Sequence, residues 1–234
     1  MIDPQVLDFA NHNPDATRKD IEYLCDQVDK HHFNSAFVNQ HYVPFVKSYK
    51  PTIKVGTILS FPLGQDFLDN KLTAVENCVK AGADELDISL NVSLLKEALW
   101  DQSSDEMKRM VTAARSIRTD VIVKFIPETG YLTPSEIQKT AELILASGAD
   151  FFKTCSGLGP RGASLDDVRL VRKAIGASLR IKVAGGISTT RQAEDFITEG
   201  ADRIGTSHAL EIIGTKKAKS DLAKGKPHKS HSDE

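Results

Sequence analysis

The apolar positions of this chain alternate between two rhythms, a helical one and short runs that end at glycine or proline. Ile21, Leu24, Cys25 and Val28 recur at helical spacing behind Pro14, Asp15 and Thr17, with Thr17 and Asp20 spaced as a capping box. Residues 33–38 then read as a strand, residues 44–49 as a second helix, and residues 54–61 (KVGTILSF) as the next strand, closed by the loop Pro62-Leu63-Gly64. Before these, Val6-Leu7-Asp8-Phe9-Ala10 is a short apolar segment with an acid in its middle.

From there a unit repeats. Gly-Ala-Asp occurs at residues 82–84, 148–150 and 200–202, each time closing a helical stretch and opening an apolar run. Glycine at that place suits the left-handed backbone that ends a helix. The runs that follow are residues 85–90, the segment that starts at Asp150-Phe151-Phe152 and carries Lys153, and residues 203–205. Residues 121–125 (VIVKF) and 181–183 supply two more strands, and Thr133-Pro134-Ser135-Glu136 caps the helix before Gly148. Eight strands alternating with helices require a parallel sheet, and at this length the expected solution is a single closed (β/α)8 TIM barrel over residues 1–213. An open doubly wound sheet is the alternative, but no GxGxxG turn follows the first strand.

Composition narrows the function classes. The chain has 234 residues, 40% hydrophobic and 26% charged, values of an ordinary globular domain. A net charge of −2 offers no general attraction for nucleic acid or acidic membranes. Cys25, Cys78 and Cys155 are odd in number, far apart and without a CxxC, which speaks against a disulfide framework or a structural zinc site. The N-terminus does not read as a signal peptide, and no apolar stretch approaches membrane-spanning length. A soluble protein of a reducing, cytoplasmic compartment is expected. Residues 214–234 are rich in lysine and poor in apolar side chains, so they read as a solvated tail. Within it, His228 and His231 could chelate a metal only loosely, since nothing nearby completes a site.

The candidate chemistry lies in the apolar runs. Lys153, in FFKTCSG, and Lys182, in RIKVAGGIS, are lysines within strands expected to be buried. Burial penalises an ammonium, and two such lysines close together lower each other's proton affinity, which favours an amine nucleophile. The plainer reading is that each sits at a strand end and snorkels to water. Asp87, in DELDISLN, is a carboxylate in a third apolar run, fit for acid–base work or for pairing with a lysine. Lys124, in VIVKF, serves either as a structural ion pair or as an electrostatic part of the site. Gly185-Gly186 after the seventh strand and Gly205-Thr206-Ser207 after the eighth form a candidate anion site, because such loops expose backbone N–H groups. Gly157-Leu158-Gly159-Pro160-Arg161-Gly162 adds further N–H groups and the Arg161 guanidinium.

The stretches GADELDISLN, KFIPETGYLT, GADFFKTCSGLGPRGAS, IKVAGGIST and GADRIGTS together resemble the deoxyribose-phosphate aldolases, class I aldolases of the barrel fold. The resemblance is collinear from about Asp8 to Ser207. It implies that Lys153 is the Schiff-base lysine, that Lys182 is the second lysine that tunes it, and that Asp87 relays protons. Gly157, Gly185, Gly186, Gly205 and Ser207 match positions around a substrate phosphate, and Thr154, Ser156 and Asp8 support the site. The family's early Asp-His-Thr is Asp8-Phe9-Ala10 here, which loses a hydroxyl, and the Ser-Thr beside the nucleophile is Cys155-Ser156. An arginine often found after the glycine pair is Ser188, and a family serine is His208. Arg161 or a protonated His208 could make up that charge. No tyrosine lies beyond Tyr131, so a relay through a C-terminal tyrosine is absent.

The implied activity is reversible cleavage of 2-deoxy-D-ribose 5-phosphate to D-glyceraldehyde 3-phosphate and acetaldehyde. It needs no metal or organic cofactor, because the iminium acts as the electron sink. The partners are then aldehydes and sugar phosphates, with a homodimer as a compatible assembly. The alternatives are an aldolase with an unphosphorylated acceptor and an inactive phosphosugar-binding barrel.

Overall fold

The computed structural model describes residues 2–215 of the chain; the remainder of the lysine-rich tail, with His228 and His231, lies outside the described residues. Eight parallel strands close into one barrel in sequence order: β1 (Leu7–Asn11), β2 (Ser35–Val38), β3 (Val55–Leu59), β4 (Glu85–Ser89), β5 (Ile122–Ile126), β6 (Phe151–Lys153), β7 (Arg180–Ala184) and β8 (Arg203–Thr206), with β8 pairing back to β1. Around it run α1 (Arg18–His31), α2 (Val43–Tyr49), α3 (Leu68–Lys80), α4 (Val92–Lys96), α5 (Trp100–Ile117), α6 (Pro134–Ala146), α7 (Leu165–Ile175), α8 (Thr190–Glu199) and the short α9 (Ala209–Ile212). The (β/α)8 expectation is met, with β2 and β3 shorter than the runs read as strands and β7 and β8 slightly longer.

Local sequence explains the joints. Thr17 and Asp20 form a capping box at the start of α1, and Thr133 and Glu136 form another at α6. Gly82, Gly148 and Gly200 have φ of +101°, +81° and +111°, the left-handed turn expected of each Gly-Ala-Asp unit. The aspartate of each unit has a second use. Its N–H donates to the carbonyl of the strand before it, and its Oδ2 accepts that same residue's N–H. Asp84 grips Val55 in this way, Asp150 grips Val123, and Asp202 grips Ile181, with Oδ2···N distances of 2.8, 2.8 and 2.7 Å.

Strand parity sorts the side chains. Leu86 and Ile88 of β4, Val123 and Phe125 of β5, Phe152 of β6, and Ile181 and Val183 of β7 join one apolar layer with the buried faces of the helices. Burial of each such side chain contributes about 1.5–3 kcal/mol. The alternate positions turn into the barrel, where apolar layers are usual. Here that interior carries Asp8, Glu85, Asp87, Lys124, Lys153 and Lys182, all nearly or fully buried. Buried charges of this kind persist only when each is paired.

Candidate active site

The site grows from register. Lys153 stands beside Lys182, and Lys182 beside Arg203, across β6, β7 and β8; Asp87 stands beside Lys124 across β4 and β5. One carboxylate oxygen joins the halves. Asp87 Oδ2 accepts from Lys153 Nζ at 2.9 Å and from Lys182 Nζ at 2.8 Å, while Lys124 Nζ lies 3.1 Å from Oδ1. Lys124 also pairs closely with Glu85, and Lys182 lies 2.7 Å from Asp8 Oδ2. Arg203 reaches Asp8 Oδ1 at 2.8 Å and Glu85 Oε1 at 3.5 Å. Asn34 donates to both carboxylates, at 2.8 and 3.0 Å, and the Ser35 hydroxyl donates to Asp8 at 2.8 Å.

Four cations therefore face three carboxylates, which leaves one positive charge in excess. Burial works against the charge of Asp87, but Lys124, Lys153 and Lys182 outweigh it and hold the carboxyl well below the usual range. Asp8 is lowered in the same way: burial is overcome by Lys182, Arg203 and Lys124. Burial also opposes the Lys124 ammonium, yet Asp87, Glu85 and Asp8 together raise its pKa. Lys182 moves the other way. Burial pushes its pKa below the lysine range, Asp8 and Asp87 resist, and Lys124 and Lys153 add to the fall. Lys182 is enclosed: its Nζ lies 3.5 Å from the centroid of the Phe37 ring, and a Cβ at Gly205 would stand 2.8 Å from its Cε. Lys153 instead points toward Phe61, past the end of β3, with Nζ 5.8 Å from that ring.

The other expected residues fall into two groups. Thr154 is wholly buried and ties β6 to β7, its N–H donating to the Lys182 carbonyl at 3.0 Å and its hydroxyl accepting from Ala184 N–H at 3.3 Å. The Cys155 thiol, pushed up to about 11 chiefly by burial and then by Glu128, donates to the Ala184 carbonyl at 2.7 Å. Ser156 gives its N–H to Glu128 at 2.9 Å and accepts from Leu158 N–H with its hydroxyl. Lys124 pairs with Glu85 and with Asp87, at the base of the cluster. Arg161 is bound in a fork to Asp167, at 2.7 and 2.8 Å, and also donates to the Thr129 carbonyl. Its guanidinium is thereby occupied within the protein.

The glycine loops gather along the rim of β6, β7 and β8. A Cβ at Gly185 would lie 2.9 Å from Cys155 Sγ and 3.2 Å from the Cα atoms of Gly157 and Gly162, so only glycine permits that approach. Gly186, at φ +79°, faces open space. The Thr206 hydroxyl donates to the Ile187 carbonyl at 2.6 Å and stitches the two loops together. Ser207 contacts His208 Nδ1 at 3.1 Å, and Ser188 N–H donates to Gln192 of the α8 cap. Gly205 lies within β8, where its missing side chain makes room for Lys182.

Sequence reasoning passed over Arg203, Asn34, Ser35 and His12. Counting in twos from Asp8 reaches His12, and the register of β7 with β8 reaches Arg203, so period two across all strands was the available signal. Beside this cluster, a cavity of about 340 Å³ is lined by Leu63, Val92, Glu128, Tyr131, Ser156 and Leu158, among others, but by none of Lys153, Lys182 and Asp87. Among the described residues no group of three His, Cys, Asp or Glu side chains is arranged to hold a metal, and no helix is long and apolar enough to cross a membrane.

Residues 6–209 match the profile of the DeoC/LacD family aldolases. A deoxyribose-phosphate aldolase of Thermoanaerobacter sp. is 38% identical over 211 residues, covering 89% of this chain and 94% of the relative. One of Thermococcus gammatolerans is 39% identical, covering 88% and 93%. Among solved structures, an aldolase described as QR15 superposes with a TM-score of 0.85 at 33% identity, covering 92% of this chain and 96% of that one. The deoxyribose phosphate aldolase of Aeropyrum pernix, described as a unique tetramer, gives 0.83 at 27% identity, covering 90% and 89%.

Proposed function

Because the chain belongs to the DeoC/LacD family of aldolases, we propose that it works as a class I enzyme, cleaving 2-deoxy-D-ribose 5-phosphate reversibly through a Schiff base on Lys153. The observation that carries this reading is the unequal compensation of the buried lysines. Lys124 has Glu85 and an oxygen of Asp87; Lys182 has Asp8 and the other Asp87 oxygen; Lys153 has only a share of the oxygen that Lys182 already holds. Lys153 is therefore the least fully paired of the three and the one at the mouth, where a carbonyl group can reach it. The amine of a lysine is a nucleophile that needs no metal to attack a carbonyl.

In the synthetic direction the Lys153 amine attacks the acetaldehyde carbonyl carbon, and the carbinolamine loses water to give an iminium. Removal of a methyl proton then places the electron pair in an enamine, with the iminium nitrogen taking up the charge. Asp87 and Lys182, in contact with each other and beside Lys153, are the groups placed to move that proton. The enamine carbon attacks the acceptor carbonyl, whose oxygen gains a proton, and water releases the aldol from Lys153. Cleavage reverses each step.

Gly157, Gly185, Gly186, Gly205 and Ser207 are proposed to surround the substrate phosphate, with neutral backbone contacts prevailing since Arg161 is engaged by Asp167. Ser188 and the occupied Arg161 also favour, as a second reading, a more tolerant acceptor site. Assembly into an oligomer is proposed by likeness to the tetrameric Aeropyrum pernix enzyme. Borohydride added with acetaldehyde should fix an ethyl group on the peptide carrying Lys153, read by mass spectrometry. An adduct mainly on Lys182, or turnover without any adduct, overturns the assignment. Steady-state rates on deoxyribose and its 5-phosphate separate the two acceptor readings.

A further inference from the structure

The imidazole of His12 has no place in the chemistry above, yet it stands at its mouth. It follows the last residue of β1, and along that strand the inward parity runs Asp8, Ala10, His12, from the fully buried floor to the half-buried rim. Its ring lies between Phe37, 6.4 Å away and edge-on at 85°, and Phe61, 5.9 Å away and tilted at 54°. These are the two rings over which the Lys182 and Lys153 ammonium groups sit. The His12 Nε2 is sealed from solvent and has no hydrogen-bond partner in the protein. An unpaired buried polar atom is a standing cost, and at a mouth beside a nucleophile it is relieved when a ligand arrives with the missing partner.

We propose that His12 is a substrate-contacting residue of this aldolase, whose Nε2 hydrogen-bonds the oxygen on the acceptor-derived carbon at the bond made or broken. The proposal rests on the Schiff-base reading of Lys153. The oxygen in question sits two carbons along from the iminium carbon, so it lies beside Lys153 and not deep in the barrel. It is a hydroxyl in the aldol and a carbonyl in the free acceptor. A neutral imidazole has one donor and one acceptor nitrogen and can meet either form according to its tautomer. His12 is kept neutral: burial, and then Lys153 and Lys182, lower its pKa to about 3 against the pull of Asp87. A ring so reluctant to take a proton acts as a hydrogen-bonding contact that orients the reacting carbon, while Asp87 and Lys182 move the protons. Ala10, one inward step below, is small and cannot offer such a contact itself.

The test separates the donor half of the reaction from bond formation. Exchange of acetaldehyde methyl hydrogens in heavy water, followed by NMR, requires Lys153 and Asp87 but no acceptor. His12→Leu should leave that exchange within about threefold of the parent, while kcat/KM for deoxyribose 5-phosphate cleavage falls by about 5- to 150-fold. His12→Gln, which keeps a polar end at similar reach, should recover most of the loss. His12→Met repeats the apolar substitution should leucine fail to fold. Equal falls in exchange and cleavage, or cleavage unchanged in both apolar variants, overturn the proposal. A parent protein with neither exchange nor a Lys153 adduct overturns the Schiff-base reading itself, and this contact with it.

Discussion

At the scale of single residues, the interior of this barrel is governed by charge count. Replacing Lys182 with leucine would remove one of the two ammonium groups that share Asp87 Oδ2 and leave Lys153 to hold that oxygen alone. Lys182→Leu should lower turnover near neutral pH by roughly 100-fold or more. Steady-state rates at neutral pH check this. A variant near parental activity at neutral pH would remove Lys182 from the tuning of Lys153. Gly205 makes the same point sterically. Gly205→Ala sets a methyl 2.8 Å from Lys182 Cε, so it should displace that side chain and lower kcat with little change in the folded spectrum. Ser188→Arg tests the anion rim: KM for deoxyribose 5-phosphate should fall by about tenfold, with unphosphorylated deoxyribose almost unaffected. Equal responses would place Ser188 away from the phosphate.

At the scale of elements, the aspartate of each Gly-Ala-Asp unit is a clamp that couples one strand to the next. Asp150 holds Val123 N–H while Arg115 and Arg180 lie 3.2 and 3.6 Å from its carboxylate. Asp150→Ala strips an acceptor from β5 next to the strand that carries Lys153. It should cost about 1–3 kcal/mol in denaturant unfolding without changing the slope of the transition. An unchanged midpoint would show that water replaces the carboxylate at no cost. Arg172 clasps Asp202 at 2.5 Å and the Gly200 carbonyl at 2.7 Å, so the third copy is braced from α7. The glycine of these units was readable because its backbone demand is local. The aspartate's hold on the preceding strand joins residues some twenty to thirty positions apart and had no local mark.

At the scale of the whole molecule, buried ionisable groups set the response to acid. The folded-state pKa values of Asp8 and Asp87 lie below the unfolded value of about 3.9, so their stabilisation is present above that pH and is lost as pH falls through the folded values. His12 is also depressed, to about 3 from an unfolded value of about 6.5. The unfolded chain takes that proton first, and stability begins to fall as pH drops below about 6.5. Denaturant midpoints at stepped pH should therefore decline from about 6.5 and fall more steeply below about 4, with His12→Gln flattening the upper part of the curve. A flat midpoint down to about pH 4 in the parent would show His12 titrating normally.

The order of strands, the barrel, the capping boxes at Thr17 and Thr133, and the candidacy of Lys153, Lys182 and Asp87 all lie in the sequence by itself. Those features depend on near neighbours, on period two and period 3.6, or on a charge set in an apolar run. Only the tertiary structure decided which carboxylate oxygen the lysines share, that Arg203 makes the fourth cation, that Arg161 is taken by Asp167, and that His12 lies between Phe37 and Phe61. Barrel closure brings Asp8, from the first strand, to Lys182 and Arg203, from the last two. Electrostatic compensation is a property of distances in space, and no local pattern of residue types contains it.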